Sequence, residues 1–285
     1  MDSTTAGRVE GTGNLGNATL NRIFALLLTT LLCAVANPVL AQPEENARAT
    51  LISATETLQP GQTQWIALKQ EIRKGWHTYW RYPGDSGAAP VINWQLPEGV
   101  SISAFHWPYP ERMPYGPLMN YGYHDEVILP MEISLVENFT DPEVSLSGSM
   151  TLLVCAEICI PEQKRLQLTL PVSSDPVASS PHNEDIQAAL LKVPQPFPIP
   201  ATYQASEDQL SLSITLGEMR DDRIQEVTFF PYEDGVIENP AKQRYSINDG
   251  QLVMSLVPGW DFQPDKSSLA GVVVIREQEI GRAHV

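Results

Sequence analysis

Short runs of alternating apolar and polar residues, each closed by a turn signal, commit this chain to β-structure. Thr63-Gln64-Trp65-Ile66-Ala67-Leu68-Lys69 and Val91-Ile92-Asn93-Trp94-Gln95-Leu96 alternate with a period of two. That period sends successive side chains to opposite faces of a strand. Glu126–Ile133, Ser149–Val154 and Arg165–Leu170 read the same way. Pro60-Gly61, Pro83-Gly84-Asp85 and Pro97-Glu98-Gly99 punctuate the runs, because proline presets a turn and glycine takes backbone angles other residues avoid. Strands of this length and spacing over residues 46–173 predict an antiparallel β-sandwich of the immunoglobulin type.

The pattern pauses after residue 173. Ser173-Ser174-Asp175-Pro176 through Pro181 reads as linker. Asn183-Glu184-Asp185 can start a short helix through Lys192, since acidic and amide groups satisfy the free N–H groups of a first turn. Pro194-Gln195-Pro196-Phe197-Pro198-Ile199-Pro200 cannot continue it. Residues 174–200 are therefore expected to connect the first sandwich to a second, smaller one over 201–278. There Gln209–Leu216, Glu226–Phe230 and Gln251–Leu256 read as strands, with Asn248-Asp249-Gly250 as a turn. The chain as a whole is expected to be all-β, with no repeat relating its halves.

The two ends carry different information. Asn21-Arg22, an apolar run from Ile23 to Ala36, and Val39-Leu40-Ala41 ahead of Gln42 form the pattern of a cleavable export signal, assigned to residues 1–41. Cys33 lies inside it, preceded by Leu32, which does not suit a lipid-attachment site. The last residues, Glu279-Ile280-Gly281-Arg282-Ala283-His284-Val285, resemble translated sequencing adapter. Residues 279–285 are thus expected to be foreign, and the natural protein to continue beyond them. The formal net charge of -16 repels phosphate backbones and argues against nucleic-acid binding.

Export leaves two cysteines, Cys155 and Cys159, in an oxidising compartment. In a straight strand, residues four apart lie roughly 13 Å from each other, whereas a disulfide needs Cα atoms within about 7 Å. A hairpin with Ala156-Glu157-Ile158 as its loop brings them face to face. Such a small ring removes little chain entropy, so it is a weak staple. An exposed bridge of this kind exchanges readily. Three readings stay open on these residues alone: a redox pair, a structural bridge in a binding module, or soft thiolate ligands for copper with Met113, Met119 or His124.

The surrounding blocks narrow the choice. Gly75-Trp76-His77-Thr78-Tyr79-Trp80-Arg81-Tyr82-Pro83-Gly84-Asp85-Ser86-Gly87, then Trp107-Pro108-Tyr109-Pro110-Glu111-Arg112, then Tyr121-Gly122-Tyr123, then Val154-Cys155 to Cys159-Ile160-Pro161 resemble the N-terminal periplasmic domain of DsbD-type protein-disulfide reductases. The three-residue spacer between the cysteines resembles the ScsB-like branch, in which two immunoglobulin-like modules precede a membrane-embedded electron-transfer domain. The resemblance implies a periplasmic relay of reducing equivalents from that membrane domain to thioredoxin-fold partners. It implies Cys159 as the attacking thiol and Cys155 as its resolving partner. It also implies a cap loop over the pair, here Glu111 to Gly122 with Met113, Tyr115 and Gly116 at its centre. No cofactor is required, since the sulfurs themselves carry the electrons. Glu157 between the cysteines disfavours a thiolate. Glu157, Asp125 and Glu126, with Glu162, are candidates for handling protons. Trp76, Trp80, Trp94 and Trp107 are expected to pack in or around the core.

Overall fold

Ten strands build the first sandwich: β1 (Ala47–Ser53), β2 (Thr63–Ile72), β3 (Thr78–Gly84), β4 (Val91–Gln95), β5 (Val100–Ile102), β6 (Glu111–Tyr115), β7 (Leu118–Tyr123), β8 (Glu126–Leu135), β9 (Glu143–Cys155) and β10 (Cys159–Pro171). They are seen in a computed structural model that describes residues 45–196, 201–206, 209–216, 223–264 and 268–277. The expected leader (1–41) and the terminal tail (279–285) lie outside the described residues. The strands form sheets in the orders β1-β2-β8-β5, β10-β9-β4 and β3-β7-β6. Every strand pairing is antiparallel, as in the immunoglobulin-like sandwich that the strand spacing predicts.

Alternation explains the core. Along β2, Ile66 and Leu68 turn inward, and along β8 Leu129, Met131 and Ile133 do the same. They meet Leu146, Met150, Leu152 and Val154 of β9 across the interior. Each large apolar side chain withdrawn from water in this way contributes about 1.5–3 kcal/mol. Trp80 is buried in the same cluster, while Trp76, Trp94 and Trp107 pack at its margin. Helix α1 (Asn183–Leu190) lays Ile186 and Ala189 on Ile52, Ala67 and Ile128, covering the outer face of the β1-β2-β8 sheet.

One stretch differs from its expectation as a loop. Residues 111–122 form the two-stranded hairpin β6–β7, extended by β3 on the other side of β7. Pro114, Gly116 and Pro117 make this stretch look irregular. Yet β6 is an edge strand, where proline removes no ladder bond the sheet needs. Gly122 serves close approach, because a side chain there would run into the Thr78 carbonyl of β3.

The second sandwich contains β11 (Ala201–Ala205), β12 (Leu210–Thr215), β13 (Ile224–Pro231), β14 (Arg244–Asn248), β15 (Gln251–Leu256) and β16 (Gly271–Glu277). Their orders are β11-β12-β15-β14 and β13-β16. Asp249 and Gly250, both with positive φ (51° and 72°), make the tight turn between β14 and β15. The period of two along β13 has a structural consequence. Phe229 enters the second core with Leu212, Leu252 and Met254, while Phe230 enters the first core beside Trp80 and Tyr121. The β13–β16 pair is therefore a wall shared by both cores, and the described residues from Glu45 onward form one compact unit. No helix among the described residues is long and apolar enough to cross a membrane.

Candidate redox site

The β9–β10 hairpin places Cys155 directly opposite Cys159, with Ala156-Glu157-Ile158 as its loop. The Ala156 N–H donates to the Ile158 carbonyl at 3.0 Å and tightens the turn. The two cysteines form a disulfide with Cα atoms 4.1 Å apart, slightly closer than the roughly 4.5–5.5 Å of facing residues on antiparallel strands. Their environments are unequal. Cys155 is 1% exposed, whereas Cys159 faces solvent.

His77, the residue just before β3, clamps the buried cysteine. The His77 N–H donates to the Cys155 carbonyl at 2.9 Å, and the Cys155 N–H donates to the His77 carbonyl at 3.0 Å. Two residues on, along the same face, Tyr79 brings its hydroxyl to 3.6 Å from Cys159 Sγ and 3.3 Å from His77 Nε2. His124 lies edge-on to His77 with ring centroids 6.0 Å apart, and its Nδ1 is 3.3 Å from the Trp76 carbonyl oxygen. Burial pushes the Tyr79 phenol up to about 12, with a smaller contribution from Tyr115. Burial, and secondarily His124, pushes His77 down to about 4. Near neutral pH the chain His77–Tyr79–Cys159 is thus uncharged on the protein side. An Nε2–H imidazole can donate to the Tyr79 oxygen, leaving the hydroxyl free to donate to sulfur.

The β6–β7 hairpin reaches the same spot. The Tyr115 hydroxyl donates to the Glu157 carbonyl at 2.6 Å, tying the tip of one hairpin to the tip of the other. Gly116 and Pro117 make the turn that carries Tyr115 there. Between the two tips lies an open cleft of about 780 Å³, with Trp76, His77, Met113, Tyr115, Ile158 and Ile160 among its walls. Ile158 is 63% exposed at its rim.

The residues singled out in the sequence are not all gathered here. Cys155, Cys159, Met113, Tyr115 and Gly116 sit at the two tips, and Glu157 is exposed between the cysteines. Asp125 occupies the β7–β8 turn with φ 56°, its carbonyl accepting from the Ile72 N–H. Glu126 pairs with Lys69 at 2.8 Å. Neither lines the cleft. Met119 packs into the core, away from Met113 and His124 on the cleft wall. Among the described residues, no group of three or more His, Cys, Asp or Glu is placed to hold a metal ion. Glu162 accepts from the Asn46 N–H and side-chain amide, at 2.8 and 3.0 Å, and pairs with buried Lys164 at 2.8 Å. Burial opposes its ionisation, but the Lys164 and Asn46 hydrogen bonds outweigh that and hold its carboxyl below the usual range. Such a carboxylate is a fixed anion, poorly suited to exchange protons.

His77 and Tyr79 received no role from the sequence. Their signal was the i, i+2 spacing inside the Gly75–Gly87 block, which puts both on one face of a strand.

Comparison with known proteins places this arrangement. Residues 48–171 match the family described as thiol:disulfide interchange protein DsbD, N-terminal. The crystal structure of the N-terminal periplasmic domain of ScsB from Proteus mirabilis is similar with a TM-score of 0.59 and 23% identity. That match covers 83% of this chain and 92% of that one, and shows a shared fold. AvmM, described as catalysing macrocyclization in alchivemycin A biosynthesis, matches with a TM-score of 0.25 and 10% identity over 47% of this chain and 92% of that one. The C-terminal domain of the Streptococcus agalactiae AgI/II polypeptide BspA matches with a TM-score of 0.23 and 8% identity over 82% of this chain and 91% of that one. Both are too remote to inform the reading. No curated protein matches the chain.

Proposed function

We propose, from the match of residues 48–171 to the N-terminal family of DsbD thiol:disulfide interchange proteins, that the chain is the periplasmic exchange module of a DsbD/ScsB-like protein-disulfide reductase. Its leader exports it. A membrane-embedded electron-transfer domain reduces the Cys155–Cys159 disulfide, and the resulting dithiol reduces thioredoxin-fold partners.

The chemistry needs two sulfurs with different jobs. The Cys159 thiolate attacks one sulfur of a partner disulfide, forming a mixed disulfide and releasing the partner's other sulfur as a thiolate. Cys155, deprotonated in turn, attacks Cys159 Sγ, re-forms the intramolecular disulfide and frees the partner as a dithiol. Two electrons pass from the cysteine pair to the partner, and no cofactor intervenes. The Tyr79 hydroxyl favours a thiolate at Cys159 by donating to it. Tyr115 caps the pair in the disulfide state and yields to the docking partner.

The observation that carries this reading is the asymmetry of the pair, an exposed Cys159 on a buried Cys155 at a hairpin tip. The test is equilibration of the purified chain with glutathione, read by alkylation mass shift. A potential between about -180 and -270 mV, with the fold intact in both redox states, is expected. Cys155→Ser should trap a mixed disulfide through Cys159. A potential below about -300 mV, or unfolding on reduction, would leave a stapled binding module instead.

A further inference from the structure

Asn239 belongs to the second sandwich, yet its side chain is 3% exposed and bonds entirely to the first. Its Oδ1 accepts from the Tyr121 hydroxyl on β7 at 2.9 Å. Its Nδ2 donates to the Tyr82 hydroxyl on β3 at 2.9 Å and to Asp85 Oδ1, just beyond β3, at 2.7 Å. Its backbone carbonyl accepts from Arg112 Nη2 on β6 at 2.6 Å. One residue thus grips all three strands of the β3-β7-β6 sheet. That sheet is the one whose far end carries Tyr115 over the disulfide.

The links run on to the tip. The other oxygen of Asp85, Oδ2, accepts from the Met119 N–H at 2.7 Å. Met119 pairs with Pro114, next to the Tyr115–Leu118 pair that closes the turn. Arg112 stands three positions before Tyr115 on the same strand. β6 is otherwise an edge strand held only by β7. Past the Gly84–Asn120 pair, where β3 stops flanking β7, the tip is a two-stranded ribbon, which is marginal without further support. The grip supplies that support from buried hydrogen bonds, whose loss is expensive.

We infer that the second sandwich sets the closed position of the cap hairpin through Asn239, which acts as a positioning residue governing access to the Cys155–Cys159 disulfide. The inference rests on the capping role proposed for Tyr115. It gives the second module a task in the exchange reaction although it holds no sulfur of the site. Partner docking that bends the β3-β7-β6 sheet would work against this grip, whereas a small thiol meets the cap as the grip holds it.

The experiment measures the second-order rate at which dithiothreitol reduces the disulfide in the oxidised chain. Three variants are compared with wild type. Tyr115→Phe removes the tip bond itself, Asn239→Ala removes the side-chain bonds to β7, β3 and Asp85 while keeping the carbonyl that accepts from Arg112, and Leu252→Ala opens a cavity in the second core. Asn239→Ala should accelerate reduction by about tenfold, the scale of a hydrogen bond lost from the closed state. It should shift the glutathione equilibrium toward the dithiol by no more than that factor, since the lost contact belongs to the capped disulfide state. Leu252→Ala should lose stability and keep the wild-type rate. A fast Tyr115→Phe with a wild-type rate for Asn239→Ala overturns the inference and leaves the cap reading standing. Equal acceleration by Leu252→Ala overturns it as general loosening. A wild-type rate for Tyr115→Phe overturns the cap reading, and the inference with it. If Asn239→Ala does not fold, Arg112→Met tests the seam from the cap side by removing the bonds to the Asn239 and Ala241 carbonyls, with the same outcomes. The relay itself is judged separately by the glutathione equilibrium.

Discussion

Removing the Tyr79 hydroxyl should raise the pKa of the Cys159 thiol in the reduced chain. Tyr79 is fully buried, and its hydroxyl has two near neighbours, His77 Nε2 at 3.3 Å and Cys159 Sγ at 3.6 Å. With its own pKa pushed up to about 12, it remains a donor across the working range. Its hydrogen bond favours the thiolate over the thiol. A hydrogen bond to a charged acceptor contributes about 1.5–3 kcal/mol. The separation to sulfur is long, so the lower end applies. At 1.36 kcal/mol per pKa unit, that is about one unit. Tyr79→Phe fills the same space and leaves the backbone clamp between His77 and Cys155 in place. The assay is the pH dependence of iodoacetamide alkylation of Cys159 in Cys155→Ser and in Cys155→Ser/Tyr79→Phe, which isolates one thiol. The midpoint should move up by about one unit, and exchange near pH 7 should slow by up to tenfold. An unchanged or lower midpoint would refute the role assigned to the hydroxyl.

Other expectations follow from the same geometry. The disulfide closes a ring of only a few residues, so reduction should lower unfolding free energy by about 2 kcal/mol or less; paired denaturant titrations of the two redox forms would show a larger loss if the bridge were a staple. His77, held down to about 4, binds no proton in the fold between pH 4 and its ordinary value near 6.5. The unfolded chain does, so the His77 contribution is complete above pH 6.5 and falls away as pH drops toward 4, by roughly 2 kcal/mol after allowance for partial solvation. Urea titrations at several pH values should show that slope in wild type and lose it in His77→Asn. Glu162→Gln should destabilise by about 2–3 kcal/mol, because Lys164, with a side chain 5% exposed, would keep only Glu45 at 3.4 Å. The carboxyl's pKa is lowered in the fold, so its contribution is present above its unfolded value near 4.5 and is lost as pH falls below that. A Glu162→Leu/Lys164→Met pair that is no more stable than Glu162→Gln would contradict the unpaired-charge account.

Local chemistry was enough for a good part of this protein. The period of two in Thr63–Lys69 and Glu126–Ile133 marks β2 and β8, because a strand with one buried face must alternate. The reach of a disulfide across a four-residue separation excludes a straight strand, and the β-like flanks with Pro161 then favour a hairpin at Cys155–Cys159, as the β9–β10 register shows. Asn248-Asp249-Gly250 marks its own turn, since positive φ is cheap only for such residues. The β6–β7 hairpin was hidden for the complementary reason. Its prolines and glycines are local signals of a loop, and only its place at a sheet edge makes them harmless.

The chemical surroundings of the sulfurs belong to the tertiary structure. His77 and Tyr79 are some eighty residues from Cys159 in sequence and reach it because β3 lies against the end of β9. That Cys155 is buried and Cys159 exposed depends on the same crossing. Asp125 and Glu126 are close in sequence to His124, but the β7–β8 turn directs them away from the cleft. Asn239 carries no motif at all. Its importance comes from β13, where neighbouring Phe229 and Phe230 face different cores and bring two sandwiches wall to wall. Alternation is a local property that one strand reveals, whereas which strands meet depends on burial summed over the whole chain.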